Sequence, residues 1–172
     1  ALLQRLGLPF IAAKPLYNEV PLGLAPLETA KGHARQKALS LRSAYPEALI
    51  IGSDQVCALD EECLGKPGSH EAAKTQLTRL SGRSHRLITA LCLLDATRGE
   101  EAAAVDVHTL HMRALSEAQI EHYLKTDAPY DCAGAYKLEK LGIALFLKSE
   151  GEEDSAVVGW PLLALVGLLA KW

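Results

Sequence analysis

The sequence predicts an α/β fold, a mixed twisted sheet flanked by helices, on three observations. Helical and strand-like patterns alternate along a chain of 172 residues, which is the length of a single domain. Apolar residues make up 49% of the chain, so a sizeable core can form without disulfides or a structural metal. Two strand-like segments are separated by a short turn, so hairpin returns are expected among the alternating elements.

The first part of the chain predicts two helical segments, two strands and a loop. In order these are a helical pattern over 1–7, a short strand over 9–13, a loop over 18–25, a helix over 26–45 and a buried strand over 48–52. Gly7 is typical of a helix stop, and Pro26 suits a first helical turn because its missing N–H would be unpaired there. Pro46 marks the expected end of the long helix.

The rest of the chain predicts three more helices and three more strands. In order these are a helix over 69–80, a strand over 86–94, an antiparallel return strand over 103–112, a helix over 116–125, a strand over 142–148 and a terminal helix opened by Pro161. Ser69 and Ser116 are placed as N-caps. Ser81-Gly82 ends the first of these helices, and Arg98-Gly99 forms the hairpin turn.

Composition and charge disfavour three classes of protein. The chain has 18 Lys and Arg against 21 Asp and Glu, a formal net charge of −3, which lacks the dense basic face of a nucleic-acid-binding protein. The high apolar content argues against disorder. The nearly uncharged run from Ala156 to Ala170 is shorter than the roughly 20 residues of a membrane span and contains Gly and Pro, so we expect it in the core.

The cysteines and histidines do not form a convincing metal site. No signal-peptide pattern is evident, so reduced thiols in a cytoplasmic protein are the expectation. Cys57 and Cys63 lie close in sequence, but no histidine nearby completes a zinc set. His108 and His111 fall on a predicted strand, where their spacing points them to opposite faces.

The densest group of chemically capable residues follows the strand predicted at 48–52. Asp54 stands where that strand is expected to end, which places a carboxylate at the rim of a sheet, where α/β folds bind ligands. Lys66 lies between Gly65 and Pro67 on a constrained loop. Together they offer a base or metal ligand and a cationic clamp for phosphate. The alternative is two surface turns with ordinary charges.

Two further features are ambiguous from spacing alone. Glu19, in a loop, and Lys37, inside the long helix, form a second possible acid and cation pair, although solvated charges are the commoner meaning of each. The segment 132–139 changes from small residues to polar ones and ends at Glu139. Its Ala-Gly step fits either close approach to a ligand or tight helix–strand packing.

Five separated motifs in order make the chain resemble the Maf family, the septum-formation-inhibitor-like nucleotide pyrophosphatases, over essentially its whole length. The motifs are Ile51-Gly52-Ser53-Asp54-Gln55-Val56, Gly65-Lys66-Pro67, Leu80-Ser81-Gly82, Cys132-Ala133-Gly134 and Val158-Gly159-Trp160-Pro161-Leu162. The family's usual Asp-Thr pair is Asp54-Gln55 here, and its usual late Gln is Glu139. That combination resembles the branch acting on 7-methyl-GTP rather than the branch acting on dTTP and UTP.

The resemblance implies a cytoplasmic homodimer with a Maf and inosine-triphosphatase type of α/β fold. It implies an enzyme dependent on a divalent metal, Mg²⁺ or Mn²⁺, that cleaves a nucleoside triphosphate to the monophosphate and diphosphate. Asp54 matches the family's proton acceptor, and Gln55 and Glu139 match its specificity positions. Glu19, Lys37 and Lys66 match polar positions that line its phosphate and metal region. On this basis Asp54 and Lys66 are the expected catalytic residues, Lys37 and Lys66 bind phosphate, and Glu19 and Asp54 hold the metal.

The resemblance implies that residues 1–172 form a single Maf-like domain without the N-terminal strand and phosphate loop of the family. Family members begin with a strand and a Ser/Arg-rich phosphate loop, and this sequence starts at Ala1 just after the expected end of that loop. Asn18 stands where an acidic residue is usual, and Cys132 follows Asp131 where many members carry Lys.

A nucleotide-binding regulator of cell division without turnover is the competing function. Asp54 and Lys66 favour the enzyme, because a binder needs no water activation.

Overall fold

A computed structural model describes residues 2–172. Ala1, where the predicted helical pattern starts, lies outside the described residues. The α-helices are α1 (Pro26–Leu39), α2 (His70–Leu80), α3 (Glu117–Asp127) and α4 (Leu162–Leu169). The strands are β1 (Leu49–Leu59), β2 (Glu62–Leu64), β3 (Ser84–Asp95), β4 (Glu101–Met112) and β5 (Phe146–Glu150). Short 3₁₀ helices span Leu3–Leu6, Ala133–Ala135, Leu141–Leu145 and Asp154–Val158.

The five strands form one sheet in the order β2-β1-β3-β4-β5, which confirms the predicted α/β class. Strands β1 and β2 are antiparallel, and their pairing covers only the end of β1, from Cys57 opposite Leu64 to Leu59 opposite Glu62. Strands β4 and β5 are also antiparallel, with a shift in register between His111 and Met112. No helix among the described residues is long and apolar enough to cross a membrane.

Several helix boundaries follow from the capping residues that the sequence indicates. The Ser69 side chain accepts a hydrogen bond from the backbone N–H of Ala72 at the start of α2. Ser116 and Gln119 form a reciprocal capping box at the start of α3. Gly7 adopts a left-handed conformation after the first 3₁₀ turn, as expected of a helix stop. These predictions are confirmed.

Four predicted boundaries are wrong. Residues 9–13 form no strand, because side chains such as Ile11, at 78% exposure, have no surface to pack against. Helix α1 ends at Leu39, where the Ser40 hydroxyl donates to the Lys37 carbonyl (2.8 Å). Strand β1 continues to Leu59, so Asp54 lies inside a strand rather than at its end. Residues 141–145 form a 3₁₀ helix, and β5 begins only at Phe146.

The chain divides into two compact units. The first contains the residues up to Gln55, with Ile88–Asp106 and Glu153–Trp172, and therefore holds α1 and α4. In this unit, α4 packs its Leu165 and Leu168 against Leu91 and Leu93 of β3, with Ile51 of β1 beside them. Glu153 stabilises the start of α4, since its Oε2 accepts from the Leu163 N–H (2.5 Å).

The second unit contains Val56–Leu87 and Val107–Glu152 and holds α2 and α3. Its core joins leucines of α2 and α3 to aromatic side chains, among them Tyr123, Tyr136 and Phe146, which are 1–6% exposed. His85 is buried in this unit, with its Nε2 2.9 Å from the Tyr136 hydroxyl. As predicted, His108 is buried whereas His111 is not, so the two point to opposite faces. All four cysteines are free thiols.

Candidate active site

Helix α1 approaches β1 closely because residues on both elements are small. A Cβ added to Gly52 would lie 2.1 Å from the Ala34 carbonyl oxygen and 2.9 Å from the Ala38 nitrogen. Ala34 and Ala38 are 0% and 1% exposed. The backbones are therefore in direct contact, and this contact brings Lys37 of α1 to the side chain of Asp54.

The Lys37 ammonium lies between two carboxylates. Its Nζ is 2.6 Å from Oδ1 of Asp54 and 2.7 Å from Oε1 of Glu19. The side chain of Asp54 is 7% exposed, that of Lys37 19% and that of Glu19 42%. Exposure therefore increases from the buried acid to the acid that faces solvent. The three residues come from a loop, a helix and a strand, and the sequence had indicated all three.

The segment carrying Glu19 has no regular secondary structure and is attached to α1 by two polar contacts. The Tyr17 hydroxyl lies 2.9 Å from Nδ1 of His33, and the Leu16 N–H donates to the Ser40 hydroxyl oxygen (3.1 Å). His33 is buried and lies one helical turn before Lys37, on the same face of α1. Both contacts lie just before Glu19 in the chain, and their partners on α1, His33 and Ser40, lie on either side of Lys37.

Burial and charge act in different directions on the cluster. Burial raises the pKa of the Asp54 carboxyl, and the hydrogen bond and charge of Lys37 limit that rise. For Lys37, burial opposes the charged form, but the hydrogen bonds that its ammonium donates to Asp54 and Glu19 outweigh burial and raise the pKa of the ammonium. The result is a carboxylate of increased basicity held in place by a permanently charged neighbour.

The carboxylates of the cluster fit a divalent cation that is bound jointly by protein side chains and by the phosphates of a substrate. No group of three or more His, Cys, Asp or Glu side chains suited to a metal occurs within residues 2–172. The cluster nevertheless combines two carboxylates with one ammonium, which leaves one net negative charge. Mg²⁺ characteristically binds through one or two carboxylates together with substrate phosphates and water. The carboxylates of Asp54 and Glu19 meet that requirement.

Gln55 points to the opposite face of β1 from Asp54, as alternation along a strand requires. Its Nε2 donates to Oγ1 of Thr89 (2.8 Å) and to the carbonyl oxygen of Ala156 (2.9 Å). Beside it, the Ser53 hydroxyl donates to the Gly159 carbonyl oxygen (2.8 Å). These bonds attach the segment before α4, which carries residues 158–161 of the Val158–Leu162 motif, to β1.

The other two predicted site residues belong to the second unit. Lys66 is exposed in the loop between β2 and α2, and Glu139 is exposed in the turn after the buried Tyr136. In the 132–139 segment, a Cβ on Gly134 would lie 2.8 Å from the Cys57 sulfur, and Gly134 has a φ of +79°. This Ala-Gly step therefore serves tight packing, one of the two alternatives that its composition left open.

Three residues have roles at the site that the sequence did not indicate: Tyr17, His33 and Thr89. The first two anchor the Glu19 segment, and Thr89 holds the amide of Gln55. The spacing of four residues between His33 and Lys37 places both on one helix face, which is a signal for the first pair. Thr89 carries no signal in the sequence, because it is a buried residue in the middle of an otherwise apolar strand.

Comparison with known proteins agrees with this architecture. The profile of the family described as "Maf-like protein" matches residues 1–172. Curated relatives named "7-methyl-GTP pyrophosphatase" are similar over nearly the whole chain. The one from Cupriavidus metallidurans is 45% identical over 98% of this chain and 85% of its own length. Those from Colwellia psychrerythraea and Pseudomonas syringae pv. tomato are 43% and 44% identical over 99% of this chain, and over 86% and 89% of their own lengths.

A match over the whole chain, together with relatives at this level of identity, places the chain in the Maf family. The resemblance drawn from the five motifs is confirmed.

Proposed function

We propose that this protein is a nucleotide pyrophosphatase that hydrolyses 7-methyl-GTP to the monophosphate and diphosphate. The observation that carries the proposal is the buried Asp54 carboxylate, held by Lys37 and bridged through it to Glu19. The names of relatives 43–47% identical to the chain support the same reaction. A buried base of raised pKa is the group that activation of water requires.

In the proposed reaction, water attacks the α phosphorus of the triphosphate. The new bond joins the water oxygen to that phosphorus, and the bond to the oxygen bridging the α and β phosphates breaks. Asp54 accepts the proton of the water at Oδ2, the oxygen that Lys37 does not bind. Lys37 holds Oδ1 and fixes the orientation of the carboxyl group. Positioning and electrostatics carry such a transfer without a covalent intermediate.

The net negative charge of the cluster would repel the phosphates of a nucleotide, so cations are needed for the two to lie close together. Lys37 was predicted to bind phosphate, but its ammonium already has two carboxylate partners, so we assign it to orienting them. Asp54 and Glu19 are the residues that would hold Mg²⁺ or Mn²⁺, and the cation would offset the repulsion between carboxylates and phosphates. Lys66, on its constrained loop, is proposed to bind phosphate directly.

Gln55 and Glu139 are proposed to select the base. A 7-methylguanine ring is positively charged and presents N1–H and exocyclic N–H₂ donors. A carboxylate at position 139 accepts from these donors and also gains from the charge of the ring. Uracil and thymine present carbonyl oxygens beside their single N–H, which would leave the carboxylate poorly paired.

Product analysis tests the proposal. The protein is incubated with 7-methyl-GTP, UTP or dTTP and Mg²⁺, and the products are separated by chromatography. We expect 7-methyl-GMP and pyrophosphate in equal amounts, with 7-methyl-GTP the preferred substrate. Binding of 7-methyl-GTP without either product would instead support the regulator of cell division. Release of orthophosphate would mean that a different phosphoanhydride bond is cleaved.

We further propose that the protein is a cytoplasmic homodimer, as the family resemblance implies. Light scattering coupled to size exclusion tests the assembly, with a mass of twice the 18.5 kDa chain expected. A single-chain mass across the micromolar range would contradict the dimer.

A further inference from the structure

The amide orientation of Gln55 is fixed by the chemistry of its neighbours. The Ala156 carbonyl oxygen, 2.9 Å from the side-chain nitrogen, only accepts hydrogen bonds, so the N–H₂ end of the amide must face it. The Thr89 hydroxyl donates to the same carbonyl oxygen (3.1 Å) and can therefore accept the second amide hydrogen from Gln55 at 2.8 Å. Both hydrogens of the amide nitrogen are thus used within the protein.

The opposite end of the amide is left for a ligand. Oε1 of Gln55 has no hydrogen bond within residues 2–172, yet it is not among the buried side-chain atoms that lack a partner, so solvent reaches it. Thr89 and Ala156 are both 1% exposed, which means that the contacts that fix the amide nitrogen lie in the interior. A position that presents only an oxygen can accept a hydrogen bond but cannot donate one.

Among the described residues, strand β1 lacks a neighbouring strand on one side of the candidate site. The pairing with β2 starts only at Cys57, so β1 has no strand partner on that side at positions 54 and 55.

We propose that Thr89 is a positioning residue for substrate selection. It holds the Gln55 amide so that position 55 acts as an obligate acceptor, which recognises an N–H donor on the base and disfavours a base that presents a carbonyl oxygen there. The guanine edge, with adjacent N1–H and N–H₂ donors, satisfies such an acceptor. The uracil edge places a carbonyl on either side of its one N–H. This inference rests on the proposed function, and it assigns a residue that acts through Gln55.

Removal of the Thr89 hydroxyl tests the inference. Thr89→Val keeps the shape of the side chain, and Thr89→Ser restores the hydroxyl. The ratio of kcat/KM for 7-methyl-GTP over UTP should fall about five- to tenfold in Thr89→Val, the value of one hydrogen bond, and stay within about twofold of wild type in Thr89→Ser. An equal loss for both nucleotides in a folded Thr89→Val protein would show a structural role and overturn the inference.

A double-mutant cycle tests whether Thr89 acts through Gln55. Gln55→Met keeps a similar volume but has no strong acceptor, so it should lower the same ratio by itself. Thr89→Val added to Gln55→Met should lower it no further. A further fall in the double variant would show that Thr89 acts independently. If Thr89→Val does not fold, an unchanged ratio in Gln55→Met alone overturns the acceptor assignment.

Binding measurements separate this inference from the proposed function. Calorimetric affinities for 7-methyl-GTP and UTP are compared across the same variants. A wild-type protein that binds but does not hydrolyse either nucleotide contradicts the pyrophosphatase, whereas the ratio of the two affinities still tests Thr89. A ratio that Thr89→Val leaves unchanged overturns the inference whatever the catalytic result.

Discussion

At the scale of single residues, the site depends on one ammonium placed between two acids of different burial. Lys37 limits the rise in the pKa of Asp54 that burial causes, and it connects Asp54 to the solvent-facing Glu19. An uncharged residue at position 37 would leave the buried carboxyl group of Asp54 beside the second acid, Glu19, without a positive charge to offset their repulsion. Lys37 therefore limits the basicity that burial gives to Asp54.

Replacement of Lys37 by Met should change the pH dependence of catalysis. The pKa of Asp54 should rise further without the ammonium, so the acidic limb of the kcat/KM profile, which requires the carboxylate, should move to higher pH. The maximal rate should also fall, because the carboxyl group loses its orientation. Lys31→Met is a matched control on the same helix, since Lys31 pairs with Glu28 at the surface. An acidic limb that stays in place would show that Lys37 does not govern Asp54.

A second prediction at this scale concerns Glu139. Glu139→Gln removes the charge that would favour the 7-methylguanine ring, so the preference for 7-methyl-GTP over UTP should fall about tenfold or more. The exposed Glu152 offers a control, and Glu152→Gln should leave the preference unchanged. An unaltered preference in Glu139→Gln would mean that Glu139 is a solvated charge.

At the scale of elements, the contact between α1 and β1 determines whether the site can form. Gly52 has no room for a Cβ against the backbone of α1, so Gly52→Ala should push the helix away from the strand. We expect a destabilisation of about 1–3 kcal/mol and a loss of activity, because Lys37 moves with its helix. Chemical denaturation and steady-state rates measure the two effects.

Gly167→Ala is the matched control for this change. Gly167 lies in α4, and nothing lies within 4 Å of an added Cβ, so Ala should be neutral or slightly stabilising there. A Gly52→Ala protein with the stability and activity of wild type would contradict the direct backbone contact.

The elements that the sequence predicted well carry their own local signals. Ser69 and Ser116 mark helix starts, and both side chains make the expected capping bonds. The length of β1 depends on contacts that are distant in sequence. For the same reason, Asp54 and Lys37 were found as candidates, whereas their contact and the role of Thr89 in holding Gln55 required the fold.

At the scale of the whole molecule, stability should depend on a buried histidine of the second unit. Burial, with a smaller effect of His111, lowers the pKa of His85 to about 4 from 6.5. The folded state then binds fewer protons than the unfolded state between these values, so stability falls as the pH drops from about 6.5 towards 4. The loss approaches about 3 kcal/mol below pH 4.

His85→Gln removes this titration and keeps a hydrogen-bonding side chain near Tyr136. The free energy of unfolding, measured by denaturant titration across pH 4 to 7, should therefore depend less on pH in the variant than in wild type. The exposed His122, changed to Gln, should leave the wild-type slope intact. Equal slopes for wild type and His85→Gln would contradict the assignment.

The central claim is that Asp54 is the base of a nucleotide pyrophosphatase, and Asp54→Asn tests it most directly. The amide keeps the shape and the neighbours of the carboxyl group but removes its basicity and its charge toward a metal. With 7-methyl-GTP and Mg²⁺, we predict a fall in kcat of about 10²–10⁴-fold or more, at an unfolding transition close to that of wild type. A folded Asp54→Asn protein that releases pyrophosphate near the wild-type rate would contradict the account.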